Sequence, residues 1–293
     1  VATIAGAAPR PARATEGIQV GRLLGGVGKY AVLGVFVLIF LVPLIWVVFS
    51  AFKTSPELLR NPFGIPEVWR WENFAEAWQV GRVGRYLGNS VLYTASIVVG
   101  VVALSTFAGY ALAMLPLPGR DWVLVLFLLG LMVPFQSFMI PLYYLLRDMR
   151  LLETYWAFIL PGIAFRLPFG IFLMRGFFRG LPNDLADAAR VDGANEWQVF
   201  RQVMLPLAGP GLAAQVIFQF VWAWREFLMP LVFVQTEALR PVSTGIMFFF
   251  GRFTAQRDLI AAGVVIAMVP MVVLYLLLQR RFIEGITAGA LKS

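Results

Sequence analysis

The chain has 293 residues, of which 60% are apolar, 15% aromatic and 14% charged. Soluble domains carry roughly 25% charged residues, so this composition, gathered into long apolar runs, predicts an all-α integral membrane protein, and the net charge of +8 reads as topology and lipid contact rather than nucleic-acid binding. With no Cys and no His, the chain has no disulfides, no Cys/His zinc site, no His-ligated haem, no catalytic thiol and no Ser-His-Asp triad; carboxylate or lysine chemistry stays open, although Lys53 and Lys292 are the only lysines beyond the N-terminal arm.

Residues 1–29 are rich in Ala, Gly, Arg and Pro and are expected to form a flexible arm. They do not read as a cleaved signal peptide, because the apolar run that follows is too long for a signal h-region. Within the arm, Gly25–Tyr30 invites a phosphate-loop reading and fails it. Leu23 stands at the first Gly position, Tyr30 replaces the Ser or Thr that would hold Mg²⁺, and no strand precedes it. It is expected to be a juxtamembrane hinge.

Six apolar segments follow, Tyr30–Phe52, Val91–Leu115, Trp122–Leu146, Tyr155–Met174, Leu207–Val234 and Leu259–Leu278. Each approaches the ~20 residues that cross a hydrocarbon core, and backbone satisfaction in lipid makes them helices. Together they make a six-span transmembrane domain over 30–282, with a tail at 283–293. Internal prolines such as Pro134, Pro161, Pro168 and Pro270 are tolerated in membrane bundles. An even span count puts both termini on one side. Lys and Arg are too evenly divided between the two sets of loops to orient the chain, although Arg280 and Arg281 directly follow the last span. The first loop, Lys53–Asn89, carries Trp69, Trp71 and Trp78, as an interfacial segment would.

The longest charged, helix-forming interval between spans is 181–207. Pro182 can open a helix, with Asn183 or Asp184 as its cap. Leu185, Ala188 and Ala189 share one face. Asp192-Gly193 stops the helix, since glycine accepts positive φ. A second helix is expected from about Ala194–Glu196, with Val199, Phe200 and Val203 along one side, running to Leu205-Pro206. The result is a helix-turn-helix outside the bilayer. Its small-residue face would let another surface approach closely, and a surface hairpin with no partner is the alternative.

The run DAARVDGANEWQVFRQVMLP resembles the EAA motif of ABC importer permeases. Asp187 stands at the Glu position, followed by Ala188 and Ala189. Asp192, Gly193 and Ala194 form its DGA centre, Phe200 is the aromatic of its second helix, and Leu205 with Pro206 closes it. Asp for Glu keeps the charge and shortens the arm by one methylene. MVPFQSFMIPLYYLL from Met132, ETYWAFILPG from Glu153, WREFLMPL from Trp224 and QRRFIEGITAGALKS from Gln279 resemble the carbohydrate-import branch, typified by the second permease subunit of the maltose transporter. The resemblance implies a cytoplasmic 181–207 coupling loop docked on a separate ATPase dimer, and both termini inside the bacterial or archaeal cytoplasmic membrane. It also implies a second, homologous permease and an extracytoplasmic solute-binding protein that delivers a sugar or oligosaccharide. ATP and Mg²⁺ would sit on the ATPase, leaving this chain no cofactor and no chemistry of its own.

Polar residues inside spans mark a transport path, because burying them in lipid is costly. Gln215, Gln219, Trp222 and Glu226 fall on one helical face over ~16 Å at 1.5 Å per residue, with Trp224 and Arg225 beside them. The tryptophans could stack on a sugar ring while Gln, Arg and Glu bond its hydroxyls. The same residues could equally bond neighbouring helices. Gln136 and Ser137, after the Pro134 break, are secondary candidates. Arg225 stands where the family usually has a small polar residue, and Arg166 is also unusual. Glu226 is expected to neutralise one of the two arginines; alternatively they meet an anionic group on an acidic or phosphorylated solute such as a glycerol phosphate. Rival classes are a secondary transporter, which would favour inverted repeats, and a membrane scaffold.

Overall fold

The computed structural model describes the backbone of residues 16–252 and 256–290 and the side chains of 29–247 and 256–277. Among the described residues the fold is entirely helical, without strands. In chain order the helices are α1 (Glu16–Ser50), α2 (Ser55–Arg60), α3 (Glu72–Gln79), α4 (Val83–Met114), α5 (Arg120–Met132), α6 (Phe135–Asp148), α7 (Trp156–Arg179), α8 (Asn183–Val191), α9 (Glu196–Gln198), α10 (Leu205–Leu207), α11 (Gly209–Trp224), α12 (Leu228–Phe233), α13 (Val242–Arg252) and α14 (Arg257–Ala290). A π-helical turn, Val199–Met204, joins α9 to α10, and a 3₁₀ turn, Glu237–Leu239, precedes α13.

Among the described residues, four helical stretches are long and apolar enough to cross a membrane: Lys29–Ser50, Val83–Met114, Trp156–Arg179 and Arg257–Leu277. The other two apolar segments are interrupted. The segment expected at Trp122–Leu146 is two helices, α5 and α6, meeting at 95°. Val133 and Pro134 form the break, since proline lacks an N–H and disfavours helical φ/ψ in the residue before it. The segment expected at Leu207–Val234 bends by 73° where α10 meets α11. It breaks again between Trp224 and Leu228. These two bent pairs bring the number of candidate spans up to six.

Residues 16–29, expected in the flexible arm, belong to α1, so the Gly25–Tyr30 hinge is helix instead. Residues 1–15 lie outside the described residues. The expected tail at 283–293 likewise continues α14 as far as Ala290, and residues 291–293 lie outside the described ones.

α4 and α7 are the central pair. Tyr93, Ile97 and Val101 of α4 form one core with Phe158 and Ile159 of α7. Small residues let the two backbones touch: a Cβ on Gly109 would lie 2.7 Å from the Cβ of Met174 and 2.9 Å from the backbone N of Arg175. α1 lies beside α14 and buries none of its most apolar window. In the first loop, Phe52 packs against Trp69 and Trp71 at centroid distances of 4.9 and 4.8 Å, while Trp69, Trp71 and Trp78 stay exposed.

The two ends of α4 hold different structures. Near its start, Asn89 Nδ2 donates to the carbonyls of Ala238 and Arg240 at 2.8 and 3.0 Å, tying down the segment before α13. Glu153 holds the same segment by accepting from the backbone N–H groups of Gln235 and Thr236 at 2.9 and 2.6 Å. Partial burial of the Glu153 carboxyl is outweighed by these bonds, which hold it below the usual carboxylate range. Near the other end, Tyr110 meets the helix-turn-helix.

Candidate functional site

The helix-turn-helix forms as its residues dictate, with two local differences. α8 begins at Asn183, with Pro182 as an extended N-cap, so neither Asn183 nor Asp184 caps it with a side chain. Proline, lacking an N–H and pre-set in φ, makes the entry turn. The helix ends at Asp192-Gly193, where Gly193 has φ +89°. Gly193 N–H donates to Arg190 O and Ala194 N–H to Ala189 O, both at 3.0 Å, the paired bonds of a Schellman motif. Nothing lies within 4 Å of a Cβ built on Gly193, so the demand for glycine comes from φ and not from crowding. The second helix opens with Asn195, which forms a reciprocal capping box with Gln198. That Asn-x-x-Gln signature was available in the sequence.

The hairpin stands on the bundle through a buried cluster. Ala186, Val199, Phe200 and Met204 pack with Tyr110 of α4 and Met174 and Phe178 of α7. Trp197 stacks on Phe107 of α4, with centroids 6.0 Å apart. The face that remains open carries Leu185, Ala188, Val191 and Asp192, with Val191 88% exposed. Of the expected small-residue face, Ala188 is open and Ala189 is half-buried.

A polar network braces the hairpin. Arg190 Nη1 donates to Asp187 at 2.6 Å. Across the Gly193 turn, Arg190 Nε and Nη2 donate to Glu196 Oε1 and Oε2 at 2.8 and 3.3 Å. Tyr110 OH donates to Glu196 Oε2 at 3.0 Å. The Arg190 bonds come first in holding the Glu196 carboxyl below the usual carboxylate range, with Tyr110 adding to them against partial burial. Arg190 in turn is raised, by Glu196 first. Asp187, at the Glu position of the motif, is thus engaged within its own helix.

A cavity of about 520 Å³ lies where the two interrupted segments meet. Arg166, Trp222, Arg225 and Glu226 line it together with aromatic residues that include Phe135 and Phe169. Arg166 Nη2 donates to Glu226 Oε2 at 3.0 Å, and the guanidinium also reaches the carbonyls of Gly162 and Trp222 at 3.1 and 3.2 Å. Glu226 Oε1 accepts from the N–H groups of Leu228 and Met229 at 3.2 and 3.4 Å, holding the start of α12. Arg166, not Arg225, is therefore the partner of Glu226.

The other path candidates sit elsewhere. Gln215 and Gln219 are fully buried. Gln215 bonds Ser105 across α4, so it acts between helices. Trp224 is buried and stacks on Phe220 at 5.5 Å, away from this cavity. Gln136 and Ser137 are exposed in the first turn of α6, outside the lining. Phe135, Phe165, Phe169 and Phe227 were missed, because phenylalanine in an apolar run carries no sign of which one faces a cavity. Among the described residues no cluster of Asp and Glu could hold a metal ion.

An all-helical bundle with long apolar helices, interrupted apolar segments and a braced hairpin at one end is consistent with an integral membrane permease. Residues 102–287 match the family described as binding-protein-dependent transport system inner membrane component, and the chain belongs to it. It is similar to the diacetylchitobiose uptake system permease protein NgcG of Streptomyces coelicolor, 36% identical over 266 residues, covering 90% of this chain and 88% of that one. It is 37% identical over 255 residues to the arabinooligosaccharides transport system permease protein AraQ of Halalkalibacterium halodurans, covering 86% and 91%. The trehalose transport system permease protein SugB of Mycobacterium tuberculosis is 34% identical over 255 residues, covering 86% and 93%. The fold matches a chain of a bacterial ABC transporter involved in the import of the acidic polysaccharide alginate, with TM-score 0.79 and 23% identity over 94% of this chain and 100% of that chain.

Proposed function

We propose that this chain forms half of the translocation path of an ATP-driven importer for a sugar or oligosaccharide, and that 181–207 is its coupling loop. The observation that carries the proposal is the hairpin itself. It leaves Leu185, Ala188 and Val191 open, while its inner face and its Arg190 network join it to α4. An open apolar ridge on a braced support suits a docking partner. The partner is a separate ATPase dimer that binds ATP and Mg²⁺; Ala188, Ala189, Asp192, Gly193, Ala194 and Phe200 shape the docking unit, and Leu205-Pro206 leads back into the membrane.

In this reading the chain crosses the bacterial inner membrane six times, with each bent pair counting as one passage and both termini cytoplasmic. A second, homologous permease completes the pore, and a periplasmic binding protein delivers substrate at the far end. The permease relatives named for diacetylchitobiose, arabinooligosaccharides and trehalose support a saccharide substrate. A solved alginate transporter in complex with a pentasaccharide-bound periplasmic protein supports the delivery step. ATP favours one of two arrangements of the permease pair by binding that arrangement better. The hairpin moves with the ATPase and carries α4 and α7, opening the cavity around Arg166, Trp222, Arg225 and Glu226 to alternate sides. The chain itself performs no chemistry.

The test is co-purification of the assembled complex followed by saccharide-stimulated ATPase activity in lipid nanodiscs. A bound ATPase subunit that Ala188→Arg releases is the expected result. Absence of any ATPase subunit from the wild-type preparation would sink the reading.

A further inference from the structure

The cavity at the helix breaks holds charges that do not cancel. Arg166 and Glu226 are bonded to each other, and their remaining contacts go to backbone groups. That pair is therefore internally neutral. Arg225 lines the same cavity, is exposed, and has no side-chain hydrogen bond or ion pair among the described residues. An arginine within a membrane-spanning segment requires water or an anion. Around it the wall is aromatic: Trp222 is held against Phe169 with centroids 4.8 Å apart, and Phe135 and Phe227 complete the surface.

This combination has a chemical preference. Aromatic faces suit the C–H faces of a pyranose ring. The planar guanidinium fork suits an oxyanion, which it can bond at two points. A neutral sugar that displaced water from Arg225 would leave its positive charge poorly compensated in an apolar surrounding, and such a charge is costly. A sugar bearing an oxyanion removes that cost. Arg166 cannot serve in its place, because its guanidinium is already bound to Glu226 and two carbonyls.

We propose that the cavity recognises an oxyanion on the transported saccharide, a ring carboxylate being the simplest case, with Arg225 as the residue that sets this specificity. The proposal rests on the cavity being part of the transport path of a saccharide importer. A ring carboxylate of this kind distinguishes a uronate-containing oligosaccharide from its neutral counterpart of the same linkage and length.

The experiment uses the complete importer, both permeases with the ATPase pair, in nanodiscs with its binding protein. Paired oligosaccharides that differ only in the ring carboxylate are supplied, and uptake and ATPase stimulation are read for each. Affinity of the binding protein for each pair is measured separately, so that its own selectivity can be divided out. The acidic member is expected to be preferred by about tenfold or more after that correction, as for a site built to pair with one group. Arg225→Gln is expected to bring the acidic-to-neutral ratio close to one, and Arg225→Lys to retain part of it. Equal use of both members by the wild type, or a ratio unmoved by Arg225→Gln, would overturn the proposal. If ATPase subunits bind and hydrolyse ATP but no saccharide of either kind is taken up, the saccharide reading fails and this specificity falls with it.

Discussion

Arg190, in the last turn of α8, grips Glu196 across the Gly193 turn at 2.8 Å, and Glu196 in turn accepts from Tyr110 of α4 at 3.0 Å. The two helices of the hairpin are thereby joined to each other and to a membrane-spanning helix. In the coupling role proposed above the hairpin must resist bending at its joint, and that joint is a glycine turn with no side chain to stiffen it.

Arg190→Ala should loosen that joint without unfolding the chain. Exposed ion pairs contribute roughly 0–1 kcal/mol each, so thermal stability should change little. Uptake per ATP hydrolysed should fall several-fold, and Arg190→Lys should recover part of it through one bond in place of a fork. Unchanged uptake per ATP in Arg190→Ala would refute the brace.

The brace should also depend on acid pH, with a definite sign. Glu196 in the folded chain titrates below the ordinary glutamate range. Its stabilising bonds are therefore fully present above the unfolded value of about 4.3 and are lost as pH falls through the lower folded value. The chain contains no cysteine, so spin labels on introduced cysteines at Asp184 and Gln202 would report only the hairpin. Their distance distribution should stay narrow at neutral pH and broaden as pH falls through the lowered folded value of Glu196. Arg190→Ala should give the broad distribution at neutral pH already.

Gly193 should tolerate substitution according to φ rather than size. At φ +89° with no atom near a built Cβ, a β-branched residue is strained and asparagine much less so. Gly193→Val should cost about 1–2 kcal/mol locally and uncouple ATP hydrolysis from uptake. Gly193→Asn should keep most coupled uptake. Equal loss in both would point to crowding by a docked partner.

Glu226→Ala should leave the buried guanidinium of Arg166, only 8% exposed at its side chain, without its counter-ion. Removing one member of a buried pair costs about 3–5 kcal/mol, so the yield of folded protein should drop sharply. Glu226→Gln, whose single carbonyl oxygen can accept from Arg166 or from the α12 N–H groups but not from both, should fall between. Replacing both, Arg166→Met with Glu226→Gln, should recover stability relative to Glu226→Ala. Thermal denaturation in detergent, followed by size-exclusion recovery, ranks the four chains.

Cap, turn and face preferences over 181–207 predicted a helix-turn-helix, and the fold has one, because local rules dominate there. Proline starts it, glycine at positive φ stops it, and Asn195 with Gln198 caps the second helix. The path candidates fared otherwise. Helical spacing put Gln215, Gln219, Trp222 and Glu226 on one face, yet the glutamines are buried against the bundle while Trp222 and Glu226 reach the cavity. Trp222 reaches it from the last turn of α11 and Glu226 from the break that follows, while the glutamines sit further back along the same helix.

Composition, periodicity and turn preference by themselves determined a helical chain of long apolar segments, the charged hairpin interval between two of them, and the turn at Gly193. Those features depend on hydrophobic length and on backbone preferences of neighbouring residues, both written locally. Tertiary structure alone decided that Glu226 pairs with Arg166, 60 positions away, and that Arg225 is left facing the cavity. Which arginine reaches a carboxylate depends on where two helices break and how they pack, and no spacing along one chain segment contains that distance.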